Sequence, residues 1–368
     1  MNSIPLVDLR AQYLAHKAEF DEAISRCLEG SSFIGGPDHK AFADEFADFC
    51  GGGSVALCGN GTDALYLALM EILGHGDGTG EVITVSHTFV ATAEAITLAG
   101  YRPVFVDIDL DTYLMDVSQL EKALTPRTRA LMPVHLYGQM VAMDEVMDIA
   151  RRHNLRVIED AAQAHGATWQ GRGPGQWGDA ACFSFYPAKN LGAWGDGGAI
   201  FTRDKDLTAR IRMRANHGRT AKYEHAFEGI NSRLDGLQAA ILRVKLRHLS
   251  QWNDARRQIA GLYDQLLINA GHIKRPATHR DAEHVFHLYI VQVDKRDQSL
   301  ERLRDNGVGV GVHYPVPLHE QPAYAYLSMP PESLPRTHEA AQRVLSLPIY
   351  PEMTREQIHR VVEVLLDH

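Results

Sequence analysis

The sequence predicts a large α/β domain built on a largely parallel sheet, followed by a smaller α+β domain. Three observations carry this reading. Between about residues 50 and 200, short β-branched runs alternate with helical patterns. From Arg233 to about Leu267 runs the longest helical stretch, of the kind that bridges two domains. Beyond it the alternation gives way to a different order of elements. The division is placed at 1–244 and 245–368, with roughly the first 15 residues expected to pack on the small domain.

Taken in order, the run Val55–Cys58 precedes a helix over Thr62–Leu73, and Val82–Val85 precedes one over Thr88–Leu98. Val104–Val106 is followed by Val117–Leu124, Ala130–Leu136 by Asp144–Asn154, and Arg156–Glu159 closes the series. Strands spaced by helices make βαβ units, and these require a parallel sheet. Ala181–Phe185 and Gly198–Thr202 are strands too close together to hold a helix between them. In the long helix, Leu234, Leu237, Ile241 and Val244 form one apolar line and Leu242, Leu246 and Leu249 a flanking one. The second domain reads as strand Val285–Val293, helix Gln298–Asp305, strand Val308–Tyr314 and a Pro-rich loop. Its last helix, Thr354–Leu366, opens with a Thr354-x-x-Gln357 capping box.

Composition narrows the function. The 368 residues carry 37 Lys+Arg against 46 Asp+Glu, a formal net charge of −9. A nucleic-acid binder needs a concentrated basic face, so that class is disfavoured. Four scattered cysteines (Cys27, Cys50, Cys58, Cys182), with no CxxC pair, point to a reducing, cytoplasmic setting. No signal peptide and no membrane span is expected. The nineteen histidines show no metal-binding spacing. They are expected to lie mostly on the surface, and no metal site is expected.

The densest chemical signal is Ser184–Ala199, SFYPAKNLGAWGDGGA. A lysine taken singly is a solvated surface group. Of the nine lysines here, however, only Lys189 follows a sheet strand within a glycine-rich loop. Ligand crevices of open α/β sheets lie outside the carboxyl ends of strands. A lysine partly desolvated there becomes a nucleophile toward carbonyls. Asp160 ends the strand in Val157-Ile158-Glu159-Asp160-Ala161-Ala162-Gln163. Alone, it would as readily cap a turn. Paired with Lys189 on a neighbouring strand end, it is what a pyridoxal phosphate site requires: an amine for the aldehyde and a carboxylate that keeps the ring nitrogen protonated. Gln163 could reach the ring's phenolic oxygen.

The third signal is Cys58-Gly59-Asn60-Gly61-Thr62-Asp63, a strand, two glycines and a helix start. Unpaired N–H groups at such a terminus cradle an anion. The segment is neither a Walker A loop nor GxGxxG. Standing alone it would be a plain Thr62 helix cap.

With these motifs in their order, the chain resembles the DegT/DnrJ/StrS family of nucleotide-sugar aminotransferases, fold-type I pyridoxal-phosphate enzymes, along essentially its whole length. Asp160-Ala161-Ala162-Gln163, Lys189-Asn190-Leu191-Gly192, Gly229-Ile230-Asn231-Ser232-Arg233-Leu234 and His313-Tyr314-Pro315-Val316-Pro317-Leu318-His319 carry the likeness. The resemblance implies pyridoxal 5′-phosphate held on Lys189, with Asp160 at the pyridine nitrogen and Gln163 at the ring hydroxyl. It also implies Phe89 stacked on the ring, Gly61, Thr62 and Ser184 at the phosphate, and Asn231 reaching the phosphate of a second subunit, so a homodimer with shared active sites. Tyr314 and His319 fall in the loop that family members place near the sugar. They would otherwise belong to a rigid surface turn set by Pro315 and Pro317.

The implied substrates are glutamate and a nucleotide-linked keto sugar. Lys189 separates the chain from the family's dehydrating branch, where histidine replaces it. Tyr186-Pro187-Ala188-Lys189-Asn190-Leu191-Gly192 and Leu136-Tyr137-Gly138-Gln139 resemble enzymes of dTDP-linked 3-keto-6-deoxyhexoses. A 4-keto or UDP-linked sugar is the alternative substrate. A regulatory or binding protein that keeps the fold without catalysis is the alternative of a different class; the intact Lys189–Asp160 pair weighs against it.

Overall fold

The computed structural model describes residues 3–367. Its centre is a seven-stranded sheet: β1 Ser54–Cys58, β2 Glu81–Val85, β3 Arg102–Val106, β4 Thr128–Leu131, β5 Arg156–Asp160, β6 Ala180–Ser184 and β7 Gly198–Thr202. The order across the sheet is β1-β7-β6-β5-β4-β2-β3. Every neighbour pair is parallel except those made by β7, which runs against both β6 and β1. The short β6–β7 connection requires that reversal, since a parallel partner needs a crossover. Two reversals return β1 to the direction of β6. The ends of β1, β2, β4, β5 and β6 therefore share one edge, and the expected α/β fold with its mostly parallel sheet is borne out. The strands are buried on both faces, as in a sheet covered by helices.

Several boundaries differ from the sequence reading. The fourth strand ends at Leu131, short of Leu136, because Pro133 cannot donate to a ladder. The second helix starts at Ala91, which frees Thr88 and Phe89 for the sheet edge. The long helix spans Gly236–Leu266, 31 residues, and packs on two helices that precede the sheet, Lys17–Glu29 and Gly36–Phe49. His16 and Glu19 on one side and His248 on the other link these elements through shared bonds to the Glu19 carboxylate.

A second sheet contains β8 Ile273–Lys274, β9 Tyr289–Val293 and β10 Val344–Leu347, in the order β8-β9-β10. Residues 285–288 are not strand: Phe286 has φ 42°, and the Val285 and Leu288 amides donate to the Gly138 and Tyr137 carbonyls. The expected strand Val308–Tyr314 is likewise absent. Val308 and Gly311 make only single bridges, to Ile4 and Ser346, in an otherwise irregular segment. The Thr354–Gln357 capping box is present in both directions.

Most of the described histidines are exposed or partly exposed, as expected, but His87, His135, His165, His284, His287 and His319 are buried. Some of them surround the cavity described next.

Candidate active site

The shared strand ends open into a cavity of about 490 Å³. Gly61, Thr62, Phe89, Asp160, Gln163, Ser184, Lys189 and Tyr314 all line it. Eight of the ten residues singled out from sequence thus converge on one space. Asn231 and His319 do not. Asn231 is exposed at the protein surface. His319 is buried, with its Nδ1 2.7 Å from Ser86 Oγ, and it packs away from the cavity.

Local geometry explains the placement of Lys189. After β6 the chain doubles back: the Lys189 amide donates to the Tyr186 carbonyl, and Ala193 donates to Phe185. Gly192 permits this fold, because a Cβ there would lie 2.2 Å from the Pro187 oxygen. Burial drives the Lys189 pKa down to about 8, and the Asp160 charge opposes the fall. Burial also raises the Asp160 pKa, against the Thr92 hydroxyl, the Ala162 amide and Lys189. Thr92 Oγ1 donates to Asp160 Oδ2 at 2.7 Å, and the Ala162 amide to Oδ1 at 3.2 Å. These donors orient the Asp160 carboxyl and oppose the rise that burial imposes.

Gln163 has one available orientation. Its Oε1 accepts from the Tyr137 amide at 2.7 Å, so Nε2 is the group facing the cavity, 3.3 Å from the Tyr314 hydroxyl. Phe89 packs obliquely on Tyr314 at the rim, ring centroids 6.0 Å apart, and is half exposed. The helix Gly61–Ile72 points its amino end into the same space. Asn60 caps it by accepting from the Asp63 amide. The Gly61 and Thr62 amides have no partner among the described residues and remain as donors. A Cβ on Gly61 would meet Ser184 Cβ at 2.7 Å, so glycine lets this terminus approach the end of β6.

The donor set fits pyridoxal 5′-phosphate. A helix terminus with free amides beside Ser184 suits a phosphate, an oriented carboxylate suits a pyridinium, and a neutral-range amine suits an aldehyde. Sequence reasoning missed Thr92, which orients Asp160, and His287 and His313, which also line the cavity. Thr92 lies inside a predicted helix. His287 lies in a segment read only as strand, so neither carried a local signal.

Known proteins agree with this geometry. Residues 15–366 match the DegT/DnrJ/EryC1/StrS aminotransferase family. The dTDP-3-amino-3,4,6-trideoxy-alpha-D-glucose transaminase of Streptomyces venezuelae is 45% identical over 363 residues, 98% of this chain and 95% of that protein. A UDP-N-acetyl-3-dehydro-alpha-D-glucosamine 3-aminotransferase of Acidithiobacillus ferrooxidans is 43% identical, covering 99% of this chain and 97% of its own. The crystal structure of S. venezuelae DesV superposes with a TM-score of 0.96 at 45% identity, over 99% of this chain and 98% of that one. NtdA from Bacillus subtilis, solved with bound cofactor PMP, superposes at 0.90 and 31% identity, over 99% and 85%. The chain belongs to the DegT/DnrJ/EryC1/StrS aminotransferase family.

Proposed function

We propose that this enzyme transfers an amino group from glutamate to the keto carbon of a nucleotide-linked hexose, with a dTDP-linked 3-keto-6-deoxy sugar as the acceptor. The observation that carries the reading is the convergence of Lys189, Asp160 and Gln163 on one cavity beside a helix terminus whose Gly61 and Thr62 amides are free. The relative of 45% identity named for a dTDP-3-amino sugar supports the finer substrate. Pyridoxal 5′-phosphate is the cofactor; when bound, it supplies the aldehyde that carries the amino group and a ring that accepts the electron pair released at carbon.

The chain's own residues do the rest. Lys189 Nζ would hold the group through its aldehyde and, when free, would act as the base and acid that moves a proton at the amino-acid α-carbon. Asp160 would hold a proton on the ring nitrogen. Gln163 Nε2 donates to the ring oxygen. The Gly61 and Thr62 amides, with the Thr62 and Ser184 hydroxyls, fix the phosphate. Phe89 covers one face of the ring and Tyr314 borders the space left for substrate.

The same reading includes a homodimer in which Asn231 completes the partner's phosphate site. Ser232, the next residue, turns inward: its hydroxyl accepts from the Gly59 amide at 2.9 Å and donates to Asp63. Asn231 then faces outward. A cytoplasmic setting suits the four free, buried cysteines. No described helix is long and apolar enough to cross a membrane. The deciding experiment offers glutamate with a panel of dTDP- and UDP-linked 3-keto and 4-keto sugars and identifies the aminated carbon by mass spectrometry and NMR. Amination of the dTDP-3-keto sugar alone supports the proposal, and turnover of only UDP-linked or 4-keto sugars overturns it.

A further inference from the structure

The helix Lys17–Glu29 and the long helix meet at a cluster of three metal-ligating groups outside the cavity. His16 caps the first helix and Glu19 lies in its opening turn, so the two share one side of it. His248 comes from the long helix. Glu19 Oε1 is 3.3 Å from His16 Nδ1 and 2.9 Å from His248 Nε2. The ligand atoms of all three residues lie within 4.8 Å of one another. Atoms held tetrahedrally by one zinc ion at about 2.0–2.1 Å stand about 3.4 Å apart, so little movement separates this cluster from a coordination shell. No metal spacing shows in the sequence, because the third group arrives 229 residues after Glu19.

The surroundings prepare the three groups. Arg247 Nη2 binds the other carboxylate oxygen, Oε2, at 2.9 Å and leaves Oε1 to the imidazoles. That bond and the two imidazoles hold the Glu19 carboxyl down at about 2, against its partial burial. The Arg247 charge opposes a bound cation; the carboxylates of Glu19 and, beyond His16, Glu352 oppose it in turn. The two rings lie 3.9 Å apart, centroid to centroid, and Trp252 packs against both at 5.7 Å. The outer nitrogens, His16 Nε2 and His248 Nδ1, have no partner among the described residues. Each can therefore keep its ring proton while the inner nitrogen offers a lone pair.

We propose that His16, Glu19 and His248 bind a first-row divalent cation. Two imidazoles and one carboxylate suit zinc, with water in the fourth position. Bound there, the ion ties the amino-terminal helices to the long helix. The segment before His16 brings Leu6 and Val7 to the cavity wall, so the same clasp steadies that wall. None of the three ligands lines the cavity, and the site does not depend on which cofactor or substrate the cavity takes.

The test titrates Zn²⁺ into the holoenzyme after chelator treatment. Calorimetry gives the stoichiometry, and Trp252 emission, taken as the difference from Trp252→Phe, reports locally. Wild type should bind one ion per chain at micromolar concentration, with a change in Trp252 emission and a melting temperature that rises with metal. The four cysteines are buried and offer no competing thiolate. His248→Gln and Glu19→Gln each remove a ligand and keep a polar group. Each should weaken binding at least ~10-fold, the least that losing a ligand's hydrogen-bond partner costs. His75→Gln, at an exposed histidine elsewhere, should bind as wild type does. Absence of binding below millimolar Zn²⁺, or binding that His248→Gln and Glu19→Gln leave intact, overturns the proposal. If His248→Gln fails to fold by circular dichroism, His16→Gln takes its place under the same criterion.

Discussion

The Tyr137 backbone amide fixes the orientation of Gln163. The 2.7 Å bond from the Tyr137 N–H to Oε1 turns the Gln163 nitrogen toward the cavity. Tyr137 is itself held in place: it has φ 59°, and its hydroxyl donates to the His313 carbonyl and accepts from His87 Nε2. A residue 26 positions earlier in the chain thus decides which end of the amide can meet a ligand.

That relationship predicts the behaviour of Gln163→Glu. The Tyr137 amide keeps an acceptor, and side-chain volume is conserved, so the melting temperature should stay close to wild type. The cavity loses a donor and gains a negative charge beside the ring oxygen. A carboxylate there disfavours the ring phenolate and retains protons in the site. The pH at which the yellow band of the holoenzyme disappears should therefore rise by at least ~1 unit. An absorbance titration that superimposes on wild type would remove Gln163 from the ring oxygen.

For Asp160→Asn, cofactor should remain bound while turnover falls. Thr92 can still bond the amide oxygen, so the local fold survives. The amide has no charge with which to hold a proton on the ring nitrogen. By analogy with the loss of one preorganised electrostatic group, the rate should fall about 10²–10³-fold. Full cofactor occupancy with near-wild-type turnover would contradict this role.

What the sequence disclosed divides by range. The βα alternation was legible because buried parallel strands are continuous apolar runs and their helices are amphipathic. The Thr354–Gln357 box was legible because both partners lie within one turn. Lys189, Asp160 and Gly61 were legible because each lies at or just past the end of a strand, and strand ends meet on one edge. The cluster of His16, Glu19 and His248 was not, since its third member lies 229 residues beyond the second. Val308–Tyr314 was misread for a related reason. Its β-branched residues suit a strand, but its neighbours offer only single bridges, and pairing is decided by tertiary partners.

A further prediction concerns Lys245, which the mechanism does not use. It lies on the long helix with 1% exposure, and burial pushes its pKa down to about 8 against the opposing charge of Glu352. In the unfolded chain the value returns to about 10.4. Below pH 8 both states carry the proton, and the folded state bears the full cost of a buried charge. Between pH 8 and about 10.4 the unfolded chain binds more protons, so this group makes stability rise with pH. Lys189 contributes in the same sense when cofactor is absent. Comparing Lys245→Met with wild type isolates the one group. The variant should have the higher denaturant midpoint at pH 7, and the gap should narrow toward pH 10. A gap that is constant across this range would show that Lys245 is not the group titrating.

The last prediction concerns assembly. Asn231 bridges Asn216 of its own chain through backbone pairing, and its side chain is exposed. Ser232 beside it is bonded to Gly59 and Asp63, at the base of its own phosphate cradle. One segment could therefore serve two sites: Ser232 bonds within the cradle of its own chain, and the outward-facing Asn231 is free to reach that of a second copy in the proposed dimer. In a two-fold dimer each chain would give and receive this contact. Cofactor affinity then depends on assembly, because a lone chain offers its phosphate only the Gly61–Thr62 terminus and the nearby hydroxyls. Dilution below the dimer's dissociation range should release cofactor in step with monomer formation, followed by fluorescence and by sedimentation. Asn231→Ala should weaken cofactor binding roughly 10- to 150-fold, the worth of one hydrogen bond to a charged group, and leave the dimer intact. Ser232→Ala should instead loosen the cradle within each chain, and so weaken binding in monomer and dimer alike. A monomer that holds cofactor as tightly as the assembled protein would show that Asn231 has no partner site to complete.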